Sequence, residues 1–403
     1  MLRTLRKVAR LALAGLLIAP AVFAQSLAPR DLPRATKEID DPLTLITMAL
    51  EFRAGQLLAV DGGENTLVLA DFGTGARRAV GRSGSGPGEY RGIAALMKLR
   101  GDTIWVYDVA QRIVVFNPDL NPGTTFPFVS FDAASQTAVT APIVADAKGT
   151  IYASGMRIDA GRGGGRAAIG AMKFPDTVAV LRFDLRANSK KDTLGIVKYP
   201  TGNSKMEVLS QTQFKYTFGV PGLTPSDAWA VFPDGRVAFV YGDGYRVQFV
   251  APNGTKGPMT PVPYDRIPMS EADRKAEVDN VNKQMAAQEP AIRRQMPPTI
   301  QMAFEVVPPA SWPTHYPPIS PLQAIAAPNG DLWVKRATPA QVDREMWDVI
   351  DRNGRLVGRW RLPAKTTVVA VGVNNALYTV RTDEDDLRYL QQVSLPAERP
   401  VAR

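Results

Sequence analysis

One histidine and no cysteine in 403 residues limit the chemistry open to this chain. Histidine pairs and histidine-based metal clusters are excluded, and with no thiolate and one imidazole a tightly held transition metal is not expected. His315 lies between Pro313 and Pro317. With no partner evident in sequence, it reads as a packing or hydrogen-bonding residue rather than a general base. The acidic run Asp383-Glu384-Asp385-Asp386 lacks the alternating ligands and the glycine of a calcium loop, so it reads as a tight solvated loop. Calcium stays open because oxygen ligands are plentiful; no other cofactor is expected.

Three other stretches could bind rather than react. Gly81-Arg82-Ser83-Gly84-Ser85-Gly86-Pro87-Gly88-Glu89-Tyr90 packs four glycines and a proline into ten residues. A phosphate cradle would need Gly-Lys-Ser/Thr entering a helix, whereas Glu89-Tyr90 leads into an apolar run, so the loop reads as a rigid turn. Asp108 and Arg112 flank a short loop and read first as a structural pair fixing it. Arg162-Gly163-Gly164-Gly165-Arg166 is a flexible basic loop, an anion site only secondarily.

The elements that must position these residues are strands. After the glycine loop come Gly101-Asp102-Thr103-Ile104-Trp105-Val106-Tyr107-Asp108 and Arg112-Ile113-Val114-Val115-Phe116-Asn117. Loop and strands together resemble the NHL-type repeat of β-propellers, in which a glycine-rich loop precedes a G-x-I-x-V-x-D strand and an R-I-x-x-F-D strand. Asn117 stands where that repeat has Asp, and either residue closes a turn.

A kernel of Asp, Asn or Lys followed by Gly before an alternating strand recurs at Lys148-Gly149, Asp234-Gly235 and Asn329-Gly330. With residues 43–80, 93–129 and 368–393 this makes six copies of a four-strand unit. The expected fold is an all-β six-bladed β-propeller over residues 43–396, with residues 397–403 a tail. Residues 25–42 form an extension, of which 34–40 could supply the outer strand missing from the sixth copy.

Residues 157–174, 198–225 and 261–321 are long insertions. Second-to-third-strand loops and connections between blades leave an antiparallel sheet at the same end, so all three belong on one face. Within the last, Ser270-Glu271-Ala272-Asp273 is a capping box with Asp for Glu, Val278, Val281 and Met285 make a narrow apolar stripe, and Pro290 is expected to end the helix. Residues 297–321 carry eight prolines, an extended strap.

Residues 1–24 have a basic start, an apolar run from Leu11 to Ala19 and Val22-Phe23-Ala24 before a cleavage point, the pattern of a secretory signal. The apolar run is too short to span a bilayer, and the expected location is periplasmic or secreted. The formal charge is +9, about +5 once Arg3, Arg6, Lys7 and Arg10 are set aside. No basic run suggests nucleic acid, so the excess favours anionic partners.

Cationic and aromatic residues at strand ends approaching the inserted face are Tyr90, Arg91, Arg157, Tyr241, Lys335 and Arg336. They would give stacking surfaces and cationic donors around one channel mouth, suited to an acidic saccharide, a carboxylated metabolite or an acidic protein loop. The expected function is therefore a non-enzymatic, monomeric, exported propeller binding a small molecule, saccharide or protein there. Resemblance to propeller enzymes that rely on histidine (paraoxonases, amidating lyases, virginiamycin-type lyases) is disfavoured. The alternative resembles the SMP-30/gluconolactonase group, metal-dependent lactonases whose carboxylate and amide ligands need no histidine.

Overall fold

A computed structural model of the protein describes residues 27–396 apart from 129–130, 133–136, 158–169, 186–189, 200–202, 221–222, 296–298 and 340. The leader at 1–24, the basic loop at Arg162 to Arg166 and the tail at 397–403 lie outside the described residues. The chain is a β-propeller. Six sheets follow one another along it, each led by an inner strand: Ile46–Arg53, Ile93–Lys98, Thr137–Ala145, Ala228–Val231, Ala324–Ala326 and Thr366–Val371. Each inner strand pairs antiparallel with the next strand in sequence, and the order continues outward.

Most interior strands are largely buried, and the two-residue period of a strand divides its side chains between two neighbours. Leu58 and Val60 pack against Tyr90 of the glycine loop and Ile104, Val114 and Phe116 of the second sheet, while Leu57 and Ala59 meet Ala370, Tyr378 and Val380 of the sixth. Comparable clusters join the second sheet to the third, the third to the fourth, the fourth to the fifth and the fifth to the sixth. The apolar seams therefore run round the molecule and close on themselves.

The recurrent aspartate has a structural task. Asp108 at the end of the strand Ile104–Asp108 is fully buried, and its Oδ1 accepts the N–H groups of Arg91 (3.1 Å), Gly92 (3.2 Å) and Ala110 (3.2 Å). Its Oδ2 accepts Arg112 Nε at 2.8 Å, and Arg112 donates onward to Ser85 O (2.8 Å), Gly84 O (3.3 Å) and Glu89 O (3.1 Å). The pair thus fixes the short loop it flanks, as expected, and ties the glycine loop to it as well. Asp61 does the same one sheet earlier, accepting Thr44 N at 2.9 Å and Leu45 N at 3.0 Å. A side chain at Gly84 would displace the Glu89 carboxylate, since a Cβ would lie 2.1 Å from Glu89 Oε2, and would sit at a φ of 153°.

The N-terminal extension is a strap. Lys37–Glu38 adds an antiparallel outer strand to the sixth sheet, and Arg30–Asp31 pairs parallel with Leu356–Arg361 of the fifth. Arg381 and Glu38 are joined by a paired ion bridge at 2.7 and 3.0 Å, and Ile39 and Leu43 are buried behind it. A segment remote in sequence so covers two outer edges that would otherwise be free to pair with other chains.

The three insertions do share a face, and they do so by building a further sheet. Gly170–Lys173, Lys205–Val208, Gln213–Gly219 and Gln301–Val307 lie side by side, the last two parallel. The helix Glu271–Gln295 touches the Gln301–Val307 strand. Ser270 and Asp273 form the capping box reciprocally, Ser270 N to Asp273 Oδ2 at 2.8 Å and Asp273 N to Ser270 Oγ at 3.2 Å. Pro290 does not end the helix. In the turn beyond it Arg293 bonds Glu289 at 2.7 Å and lies 5.5 Å from the Phe304 ring centroid. No helix among the described residues is long and apolar enough to cross a membrane.

Candidate functional site

The inner strands leave a cavity of about 550 Å³ along the axis. Its walls come from all six: Ala49, Leu96, Val144, Ala230, Ala326 and Val369 represent them, and Trp229 adds an aromatic surface. Small and aliphatic side chains dominate because six inner strands converge there, and a larger residue on each would fill the space. The rim is made by the turns that follow the inner strands, at residues 99–102 and at Ala147, Pro233, Pro328 and Val373. Those turns leave the sheets at the end opposite the insertions. The cavity therefore opens on the face that sequence reasoning did not choose.

Charge is confined to the rim. Asp102 accepts Arg53 Nε at 3.0 Å and Lys98 Nζ at 3.2 Å, and Lys98 also reaches Phe52 O at 2.5 Å. Burial alone would push the Asp102 carboxyl up, but the two cations outweigh it and hold it below the ordinary carboxylate value. Glu51 is equally committed: Tyr378 Oη donates to Oε1 at 2.8 Å and Val373 N to Oε2 at 2.7 Å. Gly372 makes room for it, since a Cβ there would lie 2.3 Å from Glu51 Oε1. Burial, with Glu51 beside it, pushes the Tyr378 phenol well up, so Tyr378 remains a donor.

Arg100 differs from its neighbours. It is exposed, its backbone N–H bonds Ala147 O at 2.9 Å, and its guanidinium has no hydrogen-bond or ion-pair partner among the described residues. An unpaired cation at the mouth of an apolar cavity is suited to an anionic head on an apolar body. A divalent metal is not suited. No group of three or more His, Cys, Asp or Glu side chains among the described residues could hold one. Glu51 has bonds on both oxygens and Asp102 is neutralised by two cations, so the metal implied by the lactonase resemblance does not fit this cavity.

The six residues singled out from sequence do not form one site. Tyr90 is fully buried, its hydroxyl accepting Leu67 N at 2.9 Å and donating to Val80 O at 3.0 Å, and it belongs to the seam between the first two sheets. It cannot be a stacking platform. Arg336 is 4 % exposed, donates to Pro318 O and to Asp348 Oδ2 (3.3 Å), and lies over the Tyr245 and Tyr264 rings. It too is corrected, from ligand contact to internal clamp.

Lys335 is held by Glu345 at 2.5 Å, and Tyr241 donates to Gln248 Oε1 at 3.3 Å. Arg91 is exposed and bonds Ser85 Oγ at 2.9 Å. Arg157 ends its strand opposite Thr137, and its side chain lies outside the described residues. His315 bonds Thr314 Oγ1 through Nδ1 at 2.9 Å, where the proline strap meets Pro268.

Asp348 was not singled out from sequence, yet it centres the most buried charge cluster described. Fully buried, it accepts Arg359 Nε (2.6 Å) and Nη2 (3.2 Å), Tyr245 Oη (2.9 Å) and Arg336 Nη1 (3.3 Å). Arg359 also donates to Pro263 O at 3.4 Å, so the two arginines grip both ends of the 261–321 insertion, at Pro263 and Pro318. The cluster is closed to solvent and its donors are spent on the protein, which makes it a fastening rather than a reactive centre.

No protein-family model matches the chain, and no curated protein matches it. Among solved structures it is similar to a calcium-binding protein, regucalcin, from Agrobacterium tumefaciens, at 12% identity over 92% of this chain and 98% of that one with a TM-score of 0.43. It is similar to a gluconolactonase from Xanthomonas campestris at 11% identity, 90% and 95% coverage and a TM-score of 0.44. It is also similar to a member of a Bacteroides vulgatus family of unknown function at 11% identity, 90% and 98% coverage and a TM-score of 0.47. The propeller assignment itself rests on the strand order and on the seams between consecutive sheets.

Proposed function

We propose that this chain is an exported six-bladed β-propeller that binds a small, largely apolar anion in its channel, with Arg100 receiving the anionic group. The observation that carries the reading is the apolar cavity of about 550 Å³ with an unpaired guanidinium at its mouth. A volume of that order suits a compact organic ligand, and apolar walls with one placed charge are the usual build of such sites. The leader pattern of residues 1–24 supports export to the periplasm or beyond. The remaining cations on the inserted face, Arg91, Arg157 and Lys335, would belong to a separate surface.

The test is a thermal-shift and calorimetric screen of aliphatic and aromatic carboxylates against the parent, Arg100→Gln and Ala230→Leu. A binder should lose about tenfold in affinity in Arg100→Gln, the worth of one charge-assisted contact, and lose more in the narrowed channel. If carboxylates bind none of these proteins, or all of them alike, the channel reading fails. Metal-dependent lactone hydrolysis, the alternative read from the sequence, would need a metal held outside this cavity, since Glu51 and Asp102 are already paired. Turnover of a lactone panel that appears only with added calcium, manganese or zinc would support it over simple binding.

A further inference from the structure

A second cavity, of about 360 Å³, lies between the fifth and sixth sheets. It shares Pro328, Val371 and Val373 with the channel rim but is otherwise lined by different residues. Its polar groups are unusually free. Asn374 and Asn375 form the turn after the inner strand of the sixth sheet, both exposed, with φ of 55° and 57°, and neither carboxamide has a partner among the described residues. On the opposite wall, Asp331 accepts Asn329 Nδ2 through Oδ2 at 2.7 Å and keeps Oδ1 unpaired. Trp333 and Trp360, 3 % and 5 % exposed, form the floor of the cleft, and neither indole N–H has a partner among the described residues. Arg30 already covers one face of Trp360, at 4.4 Å from the ring centroid.

We infer that this cleft is a binding site for a neutral, hydroxyl-rich ligand, a saccharide ring. No lysine or arginine lines it, so no cation is aimed into it. Arg352, bonded to Asn329 O at 3.4 Å, opposes a cation beside Asp331. What remains is two carboxamides that both donate and accept, one carboxylate oxygen and the apolar surfaces of Val371, Val373, Leu395 and Pro396 above the buried Trp333 and Trp360. Hydroxyls that donate and accept, carried on a ring with an apolar C–H face, complement that set. Burial pushes the Asp331 carboxyl up, so the cleft carries less negative charge in mild acid than an exposed aspartate would. The inference is independent of the channel reading.

Glycine is the informative replacement at Asn374 and Asn375. It accepts the left-handed backbone both positions require while deleting the carboxamide, so the turn is kept and the ligand groups are lost. The experiment is a titration of neutral mono- and disaccharides against the full-length protein, read by tryptophan fluorescence and saturation-transfer NMR. The variants are Asn374→Gly/Asn375→Gly, Asp331→Asn in case the double variant unfolds, and Arg100→Gln. At least one sugar should bind saturably to the parent and about tenfold more weakly to the double variant, with Asp331→Asn also weakened. Arg100→Gln should leave sugar binding unchanged, which separates failure here from failure of the channel. Absence of saturable binding by any sugar, or binding that survives both cleft variants, overturns the assignment.

Discussion

Replacing Asp348 with Asn removes a carboxylate that stands between two buried guanidiniums while leaving its shape nearly intact. In the parent Asp348 receives four hydrogen bonds, three of them from Arg336 and Arg359, which are 4 % and 3 % exposed. The asparagine offers one carbonyl oxygen in place of two carboxylate oxygens and turns an NH2 group toward a guanidinium, so a donor meets a donor. The two cations then keep only Asp265, at 3.9 Å from Arg359 and itself largely exposed, as a counter-charge. Breaking a buried pair from one side costs about 3–5 kcal/mol, because the remaining charge is left without compensation. With a urea m-value of about 3 kcal/mol/M for a chain of this size, the midpoint should fall by about 1–1.7 M. Limited proteolysis should also open the 261–321 insertion before the rest, since its ends are bonded to the same arginines. A midpoint that moves by less than about 0.3 M, with the insertion still protected, would refute the clamp.

Asp108 carries a pH signature. Burial would push its carboxyl up, but Arg112 and three backbone N–H groups win and hold it below the ordinary value. Its contribution is therefore present above the unfolded-state value of about 3.9 and is lost as the pH falls through the folded value. The parent's unfolding midpoint should drop in that acid window and that of Asp108→Asn should drop less, and parallel profiles would count against the assignment. Deleting residues 34–40 uncovers the edge strand Arg388–Ser394 and removes buried Ile39, so light scattering should show concentration-dependent aggregation. A soluble deletion variant of unchanged cooperativity would exclude the strap as a closure. Elemental analysis after dialysis should find under about 0.1 zinc per chain, and stoichiometric zinc would overturn the ligand argument.

The repeat was legible because its signals are local. Turn glycines with positive φ at Gly149, Gly235 and Gly330 each sit before a strand of alternating side chains, and the spacing from one to the next carries the sheet period. The insertions' shared face followed from strand direction alone. Their joint sheet did not, because its strands come from three separate insertions and the Gln213–Gly219 and Gln301–Val307 pairing is parallel and spans most of the 261–321 insertion. The first strap strand was hidden for the same reason: Arg30–Asp31 is two residues long, and its partner is Trp360–Arg361. Pro290 misled because a local breaker was read without the tertiary contacts made by the turn beyond it.

The site was harder to read, and the physical cause is the two-sided burial of propeller strands. A half-exposed sheet sorts polar from apolar along its strands, so an Arg at a strand end stands out as a surface group. In a propeller both faces of most interior strands pack, and a polar residue there must first satisfy buried neighbours. Arg336 and Tyr90 do this, the one bonding Asp348 and Pro318, the other bridging Leu67 and Val80. The channel-lining residues give no contrary signal, since Ala49, Ala230 and Ala326 look like any core alanine. Arg100 sits where the strand has run out and the turn begins, beside Gly101 with φ of 70°, so no packed neighbour claims its side chain. A cation free of partners is therefore sought at the turns on the channel axis, and the Asn374-Asn375 pair, at the corresponding turn of the sixth sheet, is free for the same reason.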